Sequence, residues 1–327
     1  MNQNTLLLLA AVILLITLVT IIIIWIWNCT RKKKMEEHEG YQIAAISAIG
    51  RRLQQQDAIW FSGMRRDDRY YHRDGLESRE TGERSDERSE VAADAFIRKE
   101  DECIAVLADG MGGLQNGREI STMIVNETRE AFFCRIKPSE PVMFMQNMLW
   151  KVNECVNRYL DSGFNEKGGS TDITVYIRDR KLYYYSVGDS RLYLVREQKS
   201  GRGRSYKMPM QVNREHNFGY ELDELARHGV ISAEEAMDNP RRAALTSYVG
   251  MGELAKVDGN VAPIPLGKGD LILLMSDGVF GTLNEQELLA CMEDDDSVKI
   301  VSQIGYLIEK KQKMKQDNYS VIAIRVV

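Results

Sequence analysis

The chain has 327 residues, 44% of them hydrophobic and 28% charged, enough to bury a substantial core and too mixed for a low-complexity tail. Its net charge of −5 lacks the basic surplus with which proteins neutralise nucleic-acid phosphates, so a nucleic-acid partner is not expected. Five widely spaced cysteines without a CxxC pair and four scattered histidines argue against a disulfide framework and a structural zinc site, and they leave oxygen ligands for any metal.

Taken in chain order, the first element is a stretch of 23 residues, 5–27, without a charge, glycine or proline. As a helix rising about 1.5 Å per residue it would span a hydrocarbon core of roughly 30 Å. It is too long for a signal peptide and no small-residue cleavage site follows. Trp25 and Trp27 sit where an interfacial belt would lie, and Arg31, Lys32, Lys33 and Lys34 follow at once. Positive charge on that flank predicts a single-pass membrane protein with its N-terminus outside and everything after residue 34 in the cytoplasm. Unpaired cysteines agree with that compartment.

After a basic tether (28–40), one domain is expected over 41–327. Its apolar runs predict strands at 43–48, 58–61, 104–108, 173–178, 182–187, 191–195, 271–275 and 320–326. Helical periodicity marks 118–133, 141–160, 221–228, 284–292 and 297–313. Tight turns between consecutive strands, as in DITVYIRDRKLYYYSVGDSRLYLV, predict antiparallel sheets. The expected class is α+β, an antiparallel β-sandwich flanked by helices. Residues 62–100 read as an enlarged connection, and 65–90, with seven Arg against nine Asp or Glu, as a disordered, solvated loop. Residues 196–207 read as an exposed basic loop, and the run EDDD (293–296) as a cap on the helix that follows it.

Four aspartates stand at the ends of apolar strands: Asp57 before AIWF, Asp109 after IAVLA, Asp277 after LILLMS and Asp317 before YSVIAIRVV. Asp-Gly is above all a turn dipeptide, and taken singly each of those at 74, 109, 258 and 277 reads as a turn. Asp109 in DGMGG and Asp277 in SDG, each directly after a strand, differ in setting from the other two. Carboxylates gathered at one rim of a sandwich repel unless cations neutralise them, and all-oxygen ligation favours Mg²⁺ or Mn²⁺. Two such ions can lower the pKa of a water and clamp a phosphoryl group.

Six ordered blocks carry a resemblance: IGRRLQQQDA (49–58), VLADGMGG (106–113), GGST (168–171), VGDSRLYLV (187–195), LMSDGVFGTL (274–283) and DNYSVIAI (317–324). They resemble the bacterial-type members of the type-2C, metal-dependent serine/threonine protein phosphatases over nearly all of 41–327. The resemblance implies that Asp57, Asp109, Asp277 and Asp317, with the backbone carbonyl of Gly110, hold two Mn²⁺ or Mg²⁺ ions. It implies that Arg52 binds the substrate phosphate, a role suited to a planar guanidinium. Water activated by the metals would attack phosphoserine or phosphothreonine directly, without a covalent phosphoenzyme. A third, weaker metal would draw on Glu166 or Asp161. Asp189 in GDSR reads as structural. Asp94 lies nearer to DGMGG than Asp57 does, yet only around Asp57 do Gly50, Arg52 and Gln56 fill the family positions. Met111 stands where many eukaryotic relatives place a histidine, so the leaving group would need another proton donor. Glu215, His216 and Asn217 replace the commoner Asp-His-Ser. The implied partners are phosphoserine and phosphothreonine proteins, among them a membrane serine/threonine kinase and its substrates. The alternative is a catalytically silent phosphatase fold serving as a membrane scaffold or sensor, whose usual sign, a lost metal aspartate, is absent here.

Overall fold

The computed structural model describes residues 39–64, 91–111, 116–135, 140–163, 167–199 and 205–327. The chain divides into two units, Met1–Gly40 and Tyr41–Val327, and the account below concerns the second. The predicted membrane span, most of the basic tether and the charged stretch 65–90 lie outside the described residues. Among the described residues, no helix is long and apolar enough to cross a membrane.

The elements are β1 (Gly40–Ala48), β2 (Asp57–Phe61), β3 (Val91–Arg98), β4 (Cys103–Asp109), α1 (Gly117–Cys134), α2 (Pro141–Ser162), β5 (Asp172–Arg178), β6 (Lys181–Val187), β7 (Arg191–Lys199), β8 (Ser205–Gln211), α3 (Phe218–Arg227), α4 (Ala233–Met237), β9 (Asp258–Gly259), β10 (Ile264–Pro265), β11 (Leu271–Met275), α5 (Asp277–Phe280), α6 (Glu285–Met292), α7 (Ser297–Lys311) and β12 (Tyr319–Val326). One sheet runs β3-β1-β12-β11-β7-β8, the other β10-β6-β5-β4-β2, with β9 on β6. β12 pairs antiparallel with β1 and β11, and β4 with β2 and β5.

The sandwich follows from which faces are apolar. Ile43, Leu192, Leu194, Ile272, Leu274, Ile322 and Ile324 of the first sheet meet Phe61, Ala105, Leu107, Ile173, Val175 and Leu182 of the second in one core. Because strand side chains alternate, the residues between them face outward. Those of the first sheet, such as Leu273, Met275 and Val321, pack on α5, α6 and α7, and those of the second, such as Val106, Tyr176 and Tyr185, on α1 and α2. β12, covered on both faces, is buried at every position, which is why its sequence reads as nearly unbroken apolar residues.

Local chemistry fixes the helix ends. Glu140 accepts from Val142 N ahead of a first-turn proline. Asn284 and Glu287 form a capping box on α6 with bonds of 2.8 and 2.9 Å. Asp296 caps α7 by accepting from Val298 N at 2.8 Å, the role expected of the acidic run.

Two expectations are corrected. Within 62–100, residues Val91–Arg98 form an ordered strand at the edge of the first sheet, because Ala93, Ala95 and Ile97 recur at period two and reach the central core. The basic stretch 196–207 is a hairpin arm: β7 continues to Lys199 and β8 pairs with it from Ser205. Lys207 on that edge strand donates to Glu293 O (2.6 Å) and Asp295 Oδ1 (2.8 Å), closing the turn between α6 and α7. α7 stops at Lys311 instead of 313, where Gln312 turns left-handed (φ 48°).

One buried acid gives the fold a pH signature. Asp172 is fully enclosed and accepts from Thr174 Oγ1 (2.8 Å) and Tyr185 OH (3.1 Å). Burial pushes its carboxyl up to about 7, against which the two hydroxyl bonds pull. The folded state therefore binds a proton that the unfolded chain releases near pH 4. Stability from this group is complete below that pH and is lost as pH rises through 7. Asp172→Asn, which mimics the protonated acid, is expected to flatten the fall in Tm between pH 5 and 8 and to be more stable at pH 8 by on the order of a few kcal/mol. Thermal unfolding of both proteins across that range checks it, and parallel curves would rule it out.

Candidate active site

Strand pairing brings the four predicted aspartates to one rim. Asp57 opens β2 and lies directly opposite Asp109, which closes β4. Asp277 follows β11 by one residue and Asp317 precedes β12 by one, and those strands are neighbours joined past their ends by Ser276 N donating to Ser320 O at 3.1 Å. Two loops hold the pairs in register. Asn318 Oδ1 accepts from Gln56 N at 3.0 Å, while its Nδ2 donates to Ile49 O and Gln54 O at 2.8 and 3.1 Å, fastening the segment that carries Arg52 to the start of β12. Gln316 Nε2 donates to Gly278 O at 3.0 Å and its Oε1 accepts from Thr282 Oγ1 at 2.8 Å, tying the Asp277 turn to the Asp317 turn.

Each carboxylate has its own surroundings. Asp57 is buried, and its Oδ2 accepts from Ser276 Oγ (2.8 Å) and Ser320 Oγ (2.7 Å). Its Oδ1 has no hydrogen-bond donor among the described residues. The Asp109 carboxyl lies within hydrogen-bonding reach of both Asp57 and Asp277. Asp317 forms an ion pair with Arg52, whose guanidinium also feels Asp277 and Asp109. Burial, opposed by the two serine bonds and reinforced by Asp277, raises the Asp57 carboxyl to about 7. Enclosure and then the charges of Asp57 and Asp277 push Asp109 well above the usual range, and enclosure followed by Asp317 raises Asp277. Anions placed together away from water resist ionising together, and that is the physical cause in each case.

Sequence reasoning thus named the carboxylates that meet, but not the form of the meeting. Among the described residues, no three acidic, histidine or cysteine side chains converge as a ready-made cation cage. Serines occupy one oxygen of Asp57, and Arg52 occupies Asp317, so the acids form a linked row. Arg52, expected to serve phosphate, is half-exposed and engaged with a carboxylate. Asp161 ends up exposed on the last turn of α2, and Glu166 lies outside the described residues.

Ser276, Ser320 and Asn318 orient the acids and were missed as site residues; the only signal is their adjacency to Asp277 and Asp317 in SDG and DNYS. Asp189 sits in the turn between β6 and β7, its carboxyl raised to about 7 by burial and by the nearby Asp277 and Glu215. The unusual Glu-His-Asn stretch is accounted for locally. Glu215 pairs with Arg191 Nε (2.7 Å), His216 Nδ1 accepts from Gly188 N (3.2 Å), and Asn217 caps α3 by accepting from Tyr220 N (2.7 Å).

The fold is an antiparallel sandwich with a rim of aspartates beside an arginine, and comparison with known proteins shows what it resembles. The family profile Protein phosphatase 2C matches residues 142–227. The serine/threonine phosphatase stp of Listeria monocytogenes serotype 4b is 26% identical over 233 residues, spanning 70% of this chain and 86% of its own. Among solved structures, the S. agalactiae serine/threonine phosphatase superposes with a TM-score of 0.62 at 21% identity, covering 88% of this chain and all (100%) of that one. The catalytic domain of serine threonine protein phosphatase PstP in complex with two manganese ions superposes with a TM-score of 0.58 at 18% identity, covering 88% and 99%. The chain is thus similar to bacterial protein phosphatases of the 2C type, in sequence over part of its length and in fold over nearly all of Tyr41–Val327.

Proposed function

We propose that this chain is a metal-dependent, membrane-anchored protein-serine/threonine phosphatase, with the Asp57, Asp109, Asp277 and Asp317 rim as its catalytic centre facing the cytoplasm. The observation that carries the reading is the unpartnered, buried Oδ1 of Asp57 within a row of carboxylates. An acceptor that no serine, amide or basic group satisfies, among acids whose ionisation is suppressed by enclosure and then by one another, is a donor set suited to a hard, oxygen-seeking cation. Asp57, Asp109, Asp277 and Asp317, with the Gly110 carbonyl, would hold two Mn²⁺ or Mg²⁺ ions, and Asp161 or Glu166 a third. The chemistry such ions supply when bound is Lewis acidity, which makes water a nucleophile near neutral pH and offsets phosphate charge.

This chain's own residues do the rest. Ser276 and Ser320 hold Asp57 in one orientation. Arg52, half-exposed at the mouth, exchanges Asp317 for two phosphate oxygens of the incoming phosphoserine or phosphothreonine. Water attacks phosphorus as the bond to the serine or threonine oxygen breaks, and no residue becomes phosphorylated. Met111 carries no proton to give, so the departing oxygen takes its proton from water. The apolar segment 5–27 with its basic flank supplies the anchor, and a membrane serine/threonine kinase and its substrates are the partners this placement favours.

A single experiment tests metal and membrane together. Membranes from cells expressing the full chain, washed in high salt and in alkaline carbonate, should retain phosphatase activity toward phosphothreonine peptides that requires Mn²⁺ or Mg²⁺ and is released only by detergent. Activity that survives excess chelator overturns the metal reading; activity that washes off overturns the anchor.

A further inference from the structure

The backbone that carries Asp109 continues sideways across two more segments. Gly110 forms an antiparallel bridge with Ser170, and Ser170 with Val249. Met111 N donates to Gly169 O at 3.0 Å, Thr171 N to Asp109 O at 2.8 Å, and Ser170 and Val249 exchange amide bonds of 3.2 and 3.0 Å. Side chains alternate across such a ladder, so Asp109, Met111, Thr171 and Tyr248 share one face. Ser170 and Val249, on the other, are fully buried. Tyr248 therefore stands two strand spacings from Asp109, about 10 Å, on the side where the catalytic carboxylate lies.

Its ring leans over the middle segment toward Met111. A Cβ added to Gly169 would lie 2.5 Å from Tyr248 Cδ2 and 2.7 Å from Met111 Sδ. Ring and thioether thus both crowd the space above Gly169 and lie within about 5 Å of each other, the range of a sulfur–aromatic contact. Both side chains are half-buried, so the surface they make stays open to solvent. The backbone beneath is fixed: besides the Val249 bridge, Ser247 is fully buried, and its Oγ donates to Lys256 O (2.7 Å) and accepts from Lys256 N (3.0 Å). An aromatic residue on a clamped backbone is presented at little entropic cost, which suits a binding wall.

We propose that Tyr248 and Met111 form the apolar wall of the substrate groove and select phosphopeptides with a large apolar side chain within three residues of the phosphorylated one. The inference rests on the reading of the aspartate rim as the catalytic centre. Charge at the site is concentrated in the carboxylates and Arg52, which handle the phosphate, whereas the wall offers only a ring and a thioether. An extended peptide advances about 3.4 Å per residue, so a surface about 10 Å from Asp109 meets a neighbouring side chain and not the phosphate. The blander alternative is that the ring only fills the hollow above Gly169. That role would make Tyr248→Ala less stable and slow every substrate alike.

The test compares substrates on the full chain purified in detergent with Mn²⁺. Tyr248→Ala should raise KM about ten-fold for phosphothreonine peptides bearing Leu or Phe beside the phosphoresidue. It should leave kcat for those peptides, and all constants for p-nitrophenyl phosphate and for peptides with only Gly neighbours, within two-fold. Tyr248→Phe should behave as wild type. Equal losses on every substrate, or a Tyr248→Phe defect matching Tyr248→Ala, overturn the apolar wall while leaving the phosphatase centre standing. Wild-type chain inert toward all three substrates overturns the centre itself, and the wall with it.

Discussion

Asparagine in place of Asp277 is expected to lower kcat toward phosphothreonine peptides by roughly 10²–10³-fold and, in the presence of chelator, to leave Tm unchanged or raise it. The two halves of this expectation have one cause. Asp277 is largely enclosed, and its carboxyl is raised first by that enclosure and then by Asp317. Removing its charge relieves repulsion in the empty-handed protein, while removing an anionic ligand weakens cation binding when metal is supplied. Stabilisation by Mn²⁺ should also grow with pH. Asp57 titrates at about 7, so protons compete with metal below that value and cease to compete above it. The Mn²⁺-induced rise in Tm should accordingly be larger at pH 8 than at pH 5.5 in wild type, and smaller at both in the variant. Full activity in Asp277→Asn, or a metal-induced shift that ignores pH, would falsify the assignment of this rim.

Gly278→Ala should do more damage than its size suggests. A Cβ there would sit 1.9 Å from Asn318 O and 2.9 Å from its carbonyl carbon, backbone atoms that cannot swing aside. Relief requires the Asp277 turn to move away from the Asp317 turn. Overpacking of this kind costs about 1–3 kcal/mol. A displacement near 1 Å at the carboxylates is enough to lose about 10²-fold in rate. The expected result is a lower Tm together with activity near background, even at saturating metal. Gly267→Ala is the control, since a Cβ there meets nothing nearer than Asp270 Oδ2 at 3.9 Å, and it should be silent in both measurements. A Gly278→Ala enzyme as active as the control would show that the two turns are not rigidly coupled.

Much of the architecture was legible because burial writes itself into apolar runs. The strands around residues 43–48, 104–108, 271–275 and 320–326 are central, covered on both faces, and were found within a residue or a few. The two edge strands of the first sheet were not. β8 (SYKMPMQ) carries a proline and alternates Lys with Met, as a strand paired on one side can afford, and it read as a loop. β3 was overlooked because the charged residues before it masked a short period-two pattern. At the site, Asp57, Asp109, Asp277 and Asp317 were visible because a charge at the end of an apolar strand is conspicuous. Ser276 and Ser320 were not, since a serine that orients an acid looks like any other serine until its partner, more than two hundred residues away, is known. Nor could the sequence tell that Arg52 would lie against Asp317.

Ser320 Oγ is hydrogen-bonded at 2.7 Å to Ser47 Oγ, a residue 273 positions earlier, because β1 and β12 are neighbours in the middle of their sheet. Contacts between such distant parts of a chain form late, after the entropy of closing the intervening loop has been met. Two of the rim aspartates are made early in translation and two near its end. A nascent chain on the ribosome therefore holds Asp57 and Asp109 without their counterparts, and the rim is incomplete until β12 has emerged and slid between β1 and β11.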